Sequence, residues 1–267
     1  MFGAVLGDII GSRFEFDRGG KRKVFELFTD ECEFTDDSVM TVAIAKALMD
    51  TEKNADEETI KNKVIEQMRY WGRKYPHAGY GGMFRKWLKA DDPKPYGSYG
   101  NGSAMRVSAV GWLYDSLERT REVARWSAEV THNHPEGVKG AECTAAVIYL
   151  ARTGKDKEEI REYVEKEFGY DLFETLEELR DRHEHDESCQ DSLPKALTSF
   201  FEGNSYEDVI RNAVSLGGDT DTLAAIAGGM AEGFYEIPKE MIDTGKSYLN
   251  DDLKEVLEKV RCERIHE

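Results

Sequence analysis

Two short segments concentrate aspartates beside hydroxyl side chains: Thr35-Asp36-Asp37-Ser38 and Gly217-Gly218-Asp219-Thr220-Asp221-Thr222. Each stands just before a run of small and apolar residues, so both clusters are expected at the mouths of central helices. Helix capping needs only one such residue per helix, because a single Thr, Asp or Ser oxygen accepts from the unpaired first-turn N–H groups. Four carboxylates exceed that need and would repel one another if gathered without a cation. On these residues alone, metal binding and capping both stay open. For a metal, hard carboxylate and hydroxyl oxygens suit Mg2+, Mn2+ or Ca2+ better than zinc, and the spacing lacks the Asp-x-Asp-x-Asp-Gly pattern of a calcium loop. Two Mg2+ or Mn2+ ions about 3.5 to 4 Å apart would match four aspartates, an arrangement that orients substrate oxygens and activates water.

A third segment, Tyr96-Gly97-Ser98-Tyr99-Gly100-Asn101-Gly102-Ser103-Ala104-Met105-Arg106, sets three glycines and several hydroxyls directly before a helix. Glycines let backbone N–H groups approach an anion closely, so a diphosphate cradle is one reading and a plain glycine-rich turn is the other. Neither this segment nor Gly245-Lys246-Ser247 forms a P-loop, since Glu240 stands where the latter would need glycine, and nucleoside triphosphate hydrolysis is discarded. His132-Asn133-His134-Pro135 lies between two helical stretches, where a histidine either caps the preceding helix or faces a ligand. His183-Glu184-His185-Asp186-Glu187 reads as solvated surface, and neither histidine pair completes a zinc set.

The elements that must position these groups are helical. Apolar residues recur at three- and four-residue intervals, most clearly at Val39, Val42, Ala43 and Ala47, and strand-like alternation is nearly absent. Helices are expected over about 56–75, 104–114, 119–130, 137–152, 157–168, 192–201, 206–215, 221–234 and 251–263. The stretches around 143–150 and 223–230 are small or apolar on most faces and should be central. Outer helices such as 157–162 mix Glu and Lys at helix-neighbour spacing, which makes their acidity a solvated face. Residues 75–101 hold Pro76, Pro93 and Pro95 and many of the glycines, so they are expected as loop with one short helix near 82–89.

The chain has 267 residues, 40% of them hydrophobic, with 53 acidic against 36 basic side chains and a net charge of −17. That composition excludes a disordered chain and disfavours bare nucleic acid as a partner. With no Gly/Ser/Pro linker and no repeat, one all-α domain over 1–267 is expected. Apolar runs fall short of the roughly 20 residues of a membrane helix. Met1-Phe2-Gly3-Ala4-Val5-Leu6-Gly7-Asp8 carries an aspartate in its apolar stretch and does not read as a secretory leader. The four scattered cysteines suit a reducing cytoplasm, and the protein is expected to act as a monomer.

Taken in order, five segments resemble the ADP-ribosylglycohydrolase family, which includes the dinitrogenase reductase-activating glycohydrolases and the ADP-ribosyl-acceptor hydrolases. They are Gly3 to Asp8 leading to Glu15, Phe34-Thr35-Asp36-Asp37-Ser38, Gly97 to Arg106, Thr131-His132-Asn133-His134, and Ser215 to Thr222. The resemblance implies a compact orthogonal helix bundle around two Mg2+ or Mn2+ ions. It implies Thr35, Asp36, Asp37, Asp219, Asp221 and Thr222 as ligands, with Asp221 bridging. Ser98, Tyr99, Gly100, Asn101 and Gly102 would then hold the diphosphate and distal ribose, with His132 on the same ligand. Glu15 matches a mobile glutamate at the metal edge, and Asp36 or Glu15 would handle the proton of the attacking water. The implied reaction releases ADP-ribose from a modified protein side chain, arginine being the first guess. The alternatives are a small derivative such as O-acetyl-ADP-ribose as substrate, or a silent ADP-ribose-binding module. Residues 75–95 and 178–194 carry no motif assignable to a particular linkage.

Overall fold

A computed structural model of the chain describes residues 1–17, 21–182 and 186–265. The order is α1 (Phe2–Ser12), a 3-10 turn (Glu15–Asp17), α2 (Asp36–Met49), α3 (Glu57–Lys74), α4 (Gly82–Lys89), α5 (Gly102–Met105), α6 (Ser108–Leu113) and α7 (Leu117–Glu129). It continues with α8 (Pro135–Arg152), α9 (Lys157–Phe168), α10 (Leu176–Asp181), α11 (Cys189–Glu202), α12 (Tyr206–Val214), α13 (Thr220–Phe234), α14 (Lys239–Lys246) and α15 (Asp251–Ile265). The fold is all-α; an isolated bridge between Gly100 and Ser188 is the one β-type pairing among the described residues.

Helix starts follow local chemistry. Asp56, Ser116, Asp156, Thr175, Ser188 and Ser205 each accept a backbone N–H three residues on, and Asp156 with Glu159 closes a capping box. The outer helices α3, α7 and α9 bury one stripe, for example Ile60, Val64 and Trp71 of α3. Their other faces carry solvent-screened pairs such as Lys61–Glu57 and Lys155–Glu159, which add little to stability. By contrast α1 is buried along its whole length, and α2 and α13 nearly so.

Close backbone contact joins α1 to α13. Gly3, Gly7 and Gly11 recur every fourth residue on one face of α1 and meet Gly228, Ala224 and Thr220 of α13. A Cβ at Gly3 or Gly7 would overlap the carbonyl oxygen of Gly228 or Ala224, and one at Gly11 would stand 2.5 Å from that of Thr220. The Thr220 hydroxyl donates to the Gly11 carbonyl at 2.9 Å, and the Tyr206 hydroxyl donates to that of Gly3 at 2.8 Å. The ends of α1 and the start of α13 are thereby held in one register.

Three helices lie where no periodicity announced them: α1, α10 and α14. α1 has no polar face to give a 3.6-residue signal, α10 is six residues long, and α14 starts behind Pro238 without a side-chain cap. The single helix expected over 104–114 is broken into α5 and α6 around Arg106, whose side chain is buried inward. No helix among the described residues is long and apolar enough to cross a membrane.

Candidate active site

The glycine contact delivers Asp8, in the last turns of α1, to the start of α13, and Asp8 in turn grips the start of α2. Its carboxylate accepts from the Thr35 N–H at 2.9 Å, the Thr35 hydroxyl at 2.7 Å, the Ser38 N–H at 3.0 Å and the Ser38 hydroxyl. Thr35 is the N-cap of α2 and accepts from the Asp37 N–H at 3.3 Å. The capping role at α2 therefore falls to Thr35 and Asp8, and Asp36 and Asp37 are left for other work. Asp8 is the site residue that the sequence did not disclose, being a lone polar residue in an apolar run, 27 residues before its partner.

At α13 the geometry differs. Gly217 and Gly218 both adopt φ of 75°, a left-handed conformation that favours glycine, and turn the chain sharply into the helix. Asp219 occupies the N-cap position without a side-chain cap hydrogen bond and instead accepts from the Asn101 amide at 2.6 Å. The Thr222 hydroxyl donates to Asp37 at 3.1 Å and ties the two helix starts together.

Carboxylate oxygens of Asp8, Asp37 and Asp221 lie within 4.8 Å of one another, and those of Glu15, Asp219 and Asp221 do likewise. Asp37 Oδ1 and Asp221 Oδ1 are buried with no hydrogen-bond partner. Burial, then the charges of Asp8 and Asp219, push the Asp36 carboxyl up to about 8. Burial and neighbouring aspartates hold Asp37 and Asp221 well above the usual carboxylate range, and burial alone outweighs four hydrogen bonds to bring Asp8 to about 6. Carboxylates gathered this closely, with one buried oxygen each on Asp37 and Asp221 lacking any donor, are the ligand set that a hard divalent cation requires, and the all-oxygen composition fits Mg2+ or Mn2+. The residues Thr35, Asp36, Asp37, Asp219, Asp221 and Thr222 thus converge on one place, with Glu15 at its edge.

The glycine-rich segment borders this centre through Asn101, whose amide also donates to the Ser192 hydroxyl at 3.0 Å. Several of its backbone donors are already engaged: Gly97 N–H with the Asn133 side chain at 2.7 Å, Gly100 N–H with the Ser98 hydroxyl at 3.2 Å, and Asn101 N–H with the Glu187 carbonyl at 2.7 Å. The cradle is narrower than three glycines suggested. Tyr99 is half exposed and meets His134 edge-on at 5.3 Å, while Gly102 leaves room for the His132 ring.

The two histidines take different roles, and the capping one serves the helix that follows rather than the preceding one. His134 is the N-cap of α8 and accepts from the Glu136 N–H at 3.2 Å. His132 is buried beside the cradle, and burial together with Arg106 holds its imidazole well below the usual histidine range, so it is neutral at physiological pH. Buried Arg106 donates to the Thr131 hydroxyl oxygen at 2.8 Å, and that hydroxyl lies 2.7 Å from His132 Nδ1. Arginine can only donate, and the Thr131 hydroxyl stands much closer to Nδ1 than to its other acceptor, the Ala128 carbonyl at 3.5 Å; with its proton directed to Nδ1, the ring proton sits on Nε2, the nitrogen nearest Gly100 and Gly102. His183 and His185 of the acidic surface stretch lie outside the described residues.

Residues 1–265 match the family described as ADP-ribosylglycohydrolase. The chain is 27% identical to ADP-ribosylhydrolase ARH3 of Bos taurus, over 95% of this chain and 89% of that one. It is 26% identical to ADP-ribosylarginine hydrolase Tri1 of Pseudomonas putida, over 91% and 72%. A solved structure described as an ADP-ribosylglycohydrolase-related protein complex superposes with a TM-score of 0.72 at 21% identity, over 95% and 92% of the two chains, and shares the fold. With the match running through all five helix-mouth and loop segments that build the site, the chain belongs to the ADP-ribosylglycohydrolase family.

Proposed function

We propose that this protein hydrolyses the bond between C1″ of ADP-ribose and an acceptor, using two Mg2+ or Mn2+ ions held by Thr35, Asp36, Asp37, Asp219, Asp221 and Thr222. The observation that carries this reading is the pair of buried oxygens without a donor, Asp37 Oδ1 and Asp221 Oδ1, on two residues whose carboxylates gather within 4.8 Å of each other and of Asp8. When bound, the ions supply the positive charge that fixes ribose oxygens and favours an ionised nucleophile.

The chain supplies the rest. Glu15, grouped with Asp219 and Asp221, or Asp36, close enough to Asp8, Asp219 and Glu15 to feel their charges, takes the proton of the attacking water. Asp219 and Asp221 place negative charge where the sugar becomes positive as the acceptor leaves. Ser98, Tyr99, Gly100, Asn101 and Gly102, with the Nε2–H of His132, hold the diphosphate and distal ribose and so turn a bimolecular attack into a positioned one. Arginine is the acceptor we favour, supported by the name of the Pseudomonas relative, ADP-ribosylarginine hydrolase.

Activity of Asp36→Asn and Asp219→Asn on arginine-linked ADP-ribose, with metal content measured alongside, tests the reading. Loss of an outer-sphere partner typically costs 10–100-fold, so removing a ligand should exceed about 100-fold. Full turnover by both variants ends the account, and a panel of arginine-, serine- and nucleobase-linked substrates decides the acceptor.

A further inference from the structure

Residues 69–94, which take in the end of α3 and most of the 75–95 stretch that carried no assignable motif, hold seven basic and two acidic side chains, net +5, so the other 241 residues carry −22. The same segment forms a rim of the carboxylate centre. The Ala78 carbonyl accepts from the Asp36 N–H at 2.6 Å, and a Cβ at Gly79 would stand 3.1 Å from Asp36 Oδ1. α4 starts at Gly82, two residues beyond buried Tyr80.

Four of the seven cations have partners. Arg69 donates to the Ala90 carbonyl at 2.6 Å and Arg73 to that of Leu88 at 3.0 Å, holding the C-terminal end of α4, where positive charge also complements the helix dipole. Lys74 pairs with Asp252 at 2.5 Å and Lys94 with Asp92 at 2.9 Å. Arg85, Lys86 and Lys89 are exposed and have no ion pair among the described residues. At about 100° per residue these three fall within about 100° of the circumference of α4, opposite Phe84, Trp87 and Leu88, which are buried. Phe84 and Trp87 stack at 5.4 Å and Leu88 seats against Gly72, so the basic face cannot roll inward.

We propose that this face of α4 docks an acidic segment of the protein that carries the ADP-ribosylated side chain, which extends the proposed function and rests on it. Arg85 and Lys89 stand about 6 Å apart along the helix axis, close to the roughly 6.6 Å between alternate side chains of an extended peptide. Asp or Glu at alternate positions, a few residues from the modified side chain, would meet the face while ADP-ribose enters the centre. A protein segment is preferred to a nucleic acid because the favourable surface is one helix long and is set in a chain of net charge −17, which repels a longer polyanion.

The test compares the full-length metal-loaded protein with its R85E/K86E/K89E variant. Substrates are free ADP-ribosylarginine and ADP-ribosylarginine peptides with Asp/Glu or with Ser/Gly flanks, each peptide's KM being read relative to the free compound for the same protein. At about 50 mM salt the acidic flanks should lower the wild-type KM by about tenfold, the summed effect of three exposed charge pairs. The preference should vanish in the variant and in 0.5 M salt, where charges farther apart than about 4 Å are screened. Equal KM values for both peptides, or a preference kept by the variant, overturns the proposal. Fluorescence polarisation of an unmodified labelled Asp/Glu peptide separates the two readings. If no substrate is turned over yet the peptide binds wild type and not the variant, the assignment of arginine as acceptor falls and the docking face stands. Tighter binding of oligothymidylate than of the acidic peptide at this face overturns the assignment to a protein segment.

Discussion

The two helix starts that build the centre are held by opposite means. At α2 the grip is polar: Asp8 accepts four hydrogen bonds from Thr35 and Ser38 and fixes the orientation of the first turn. At α13 it is steric: glycine-to-backbone contact with α1 sets the distance, two left-handed glycines set the direction, and Asp219 leans on Asn101 rather than capping. Distance fixed by backbone contact tolerates almost no added volume but is indifferent to charge. Orientation fixed by hydrogen bonds has the reverse sensitivities.

The largest effect should follow from adding volume at the steric end. Gly7→Val places branched carbons into the Ala224 carbonyl, where only backbone movement gives relief, and should cost about 3 kcal/mol or more. Gly81→Ala meets nothing within 4 Å and serves as the matched control. Urea melts of the two variants check this, and a Gly7→Val protein as stable as wild type would show that the α1–α13 contact is not the fixed distance it is taken to be.

At the polar end, Asp8→Asn keeps the shape and removes acceptors. An amide offers one acceptor oxygen and presents N–H groups to a site built of donors, leaving buried donors unsatisfied at about 1–3 kcal/mol each. Thr35 and Asp37 then lose their orientation, and Mn2+ affinity by calorimetry should drop about 10–100-fold. An unchanged affinity would place Asp8 outside the metal's support.

Charge alone separates the two ends when metal is chelated. Asp36 and Asp8 have folded-state values of about 8 and about 6, above the roughly 3.9 of an unfolded aspartate. A raised folded value means that the native state binds more protons over that range, so stability falls as pH rises. The contribution is complete below about pH 4 and is lost progressively as pH rises from there, up to about pH 6 for Asp8 and about pH 8 for Asp36. Chelated protein should therefore melt lower at pH 8 than at pH 5.5, and Mg2+ or Mn2+ should raise the pH 8 melting temperature most. A chelated protein equally stable at both pH values would mean that these carboxylates are not gathered as described.

The polar and steric ends were unequally legible in the sequence. The aspartate clusters and the long amphipathic helices stood out because composition and period are local properties. Asp8 did not, because its meaning lies in partners 27 and 30 residues away. The role of Gly3, Gly7 and Gly11 was not legible either, since glycine is by itself a weak helix former and the backbone they admit belongs to a segment more than 200 residues later. The ligand roles of Thr35 and Thr222 came from family resemblance, spacing alone leaving capping open. Capping proved right for Thr35 and wrong for Asp219, whose side chain makes no cap bond.

The smallest effect concerns the cradle that leans on the steric end through Asn101. In the chain Arg106 to Thr131 to His132, the Thr131 hydroxyl proton has His132 Nδ1 at 2.7 Å and the Ala128 carbonyl at 3.5 Å within reach, and its direction toward the nearer acceptor favours the Nε2–H tautomer of the ring. Thr131→Val preserves shape and removes the relay. His132 Nδ1 then has no donor, the Nδ1–H tautomer becomes accessible, and Nε2 ceases to be an assured donor beside Gly102. One hydrogen bond to an anionic ligand is worth about 1.5–3 kcal/mol at most, and partial tautomer loss forfeits a fraction of it. KM for an ADP-ribosyl substrate should rise about 3- to 10-fold with kcat nearly constant, because the contact holds the diphosphate and not the reacting carbon. Nitrogen-15 chemical shifts of His132 in wild type should report a protonated Nε2, and in Thr131→Val a mixture. A wild-type ring protonated on Nδ1 would reverse the relay and make His132 an acceptor, incompatible with a phosphate beside it.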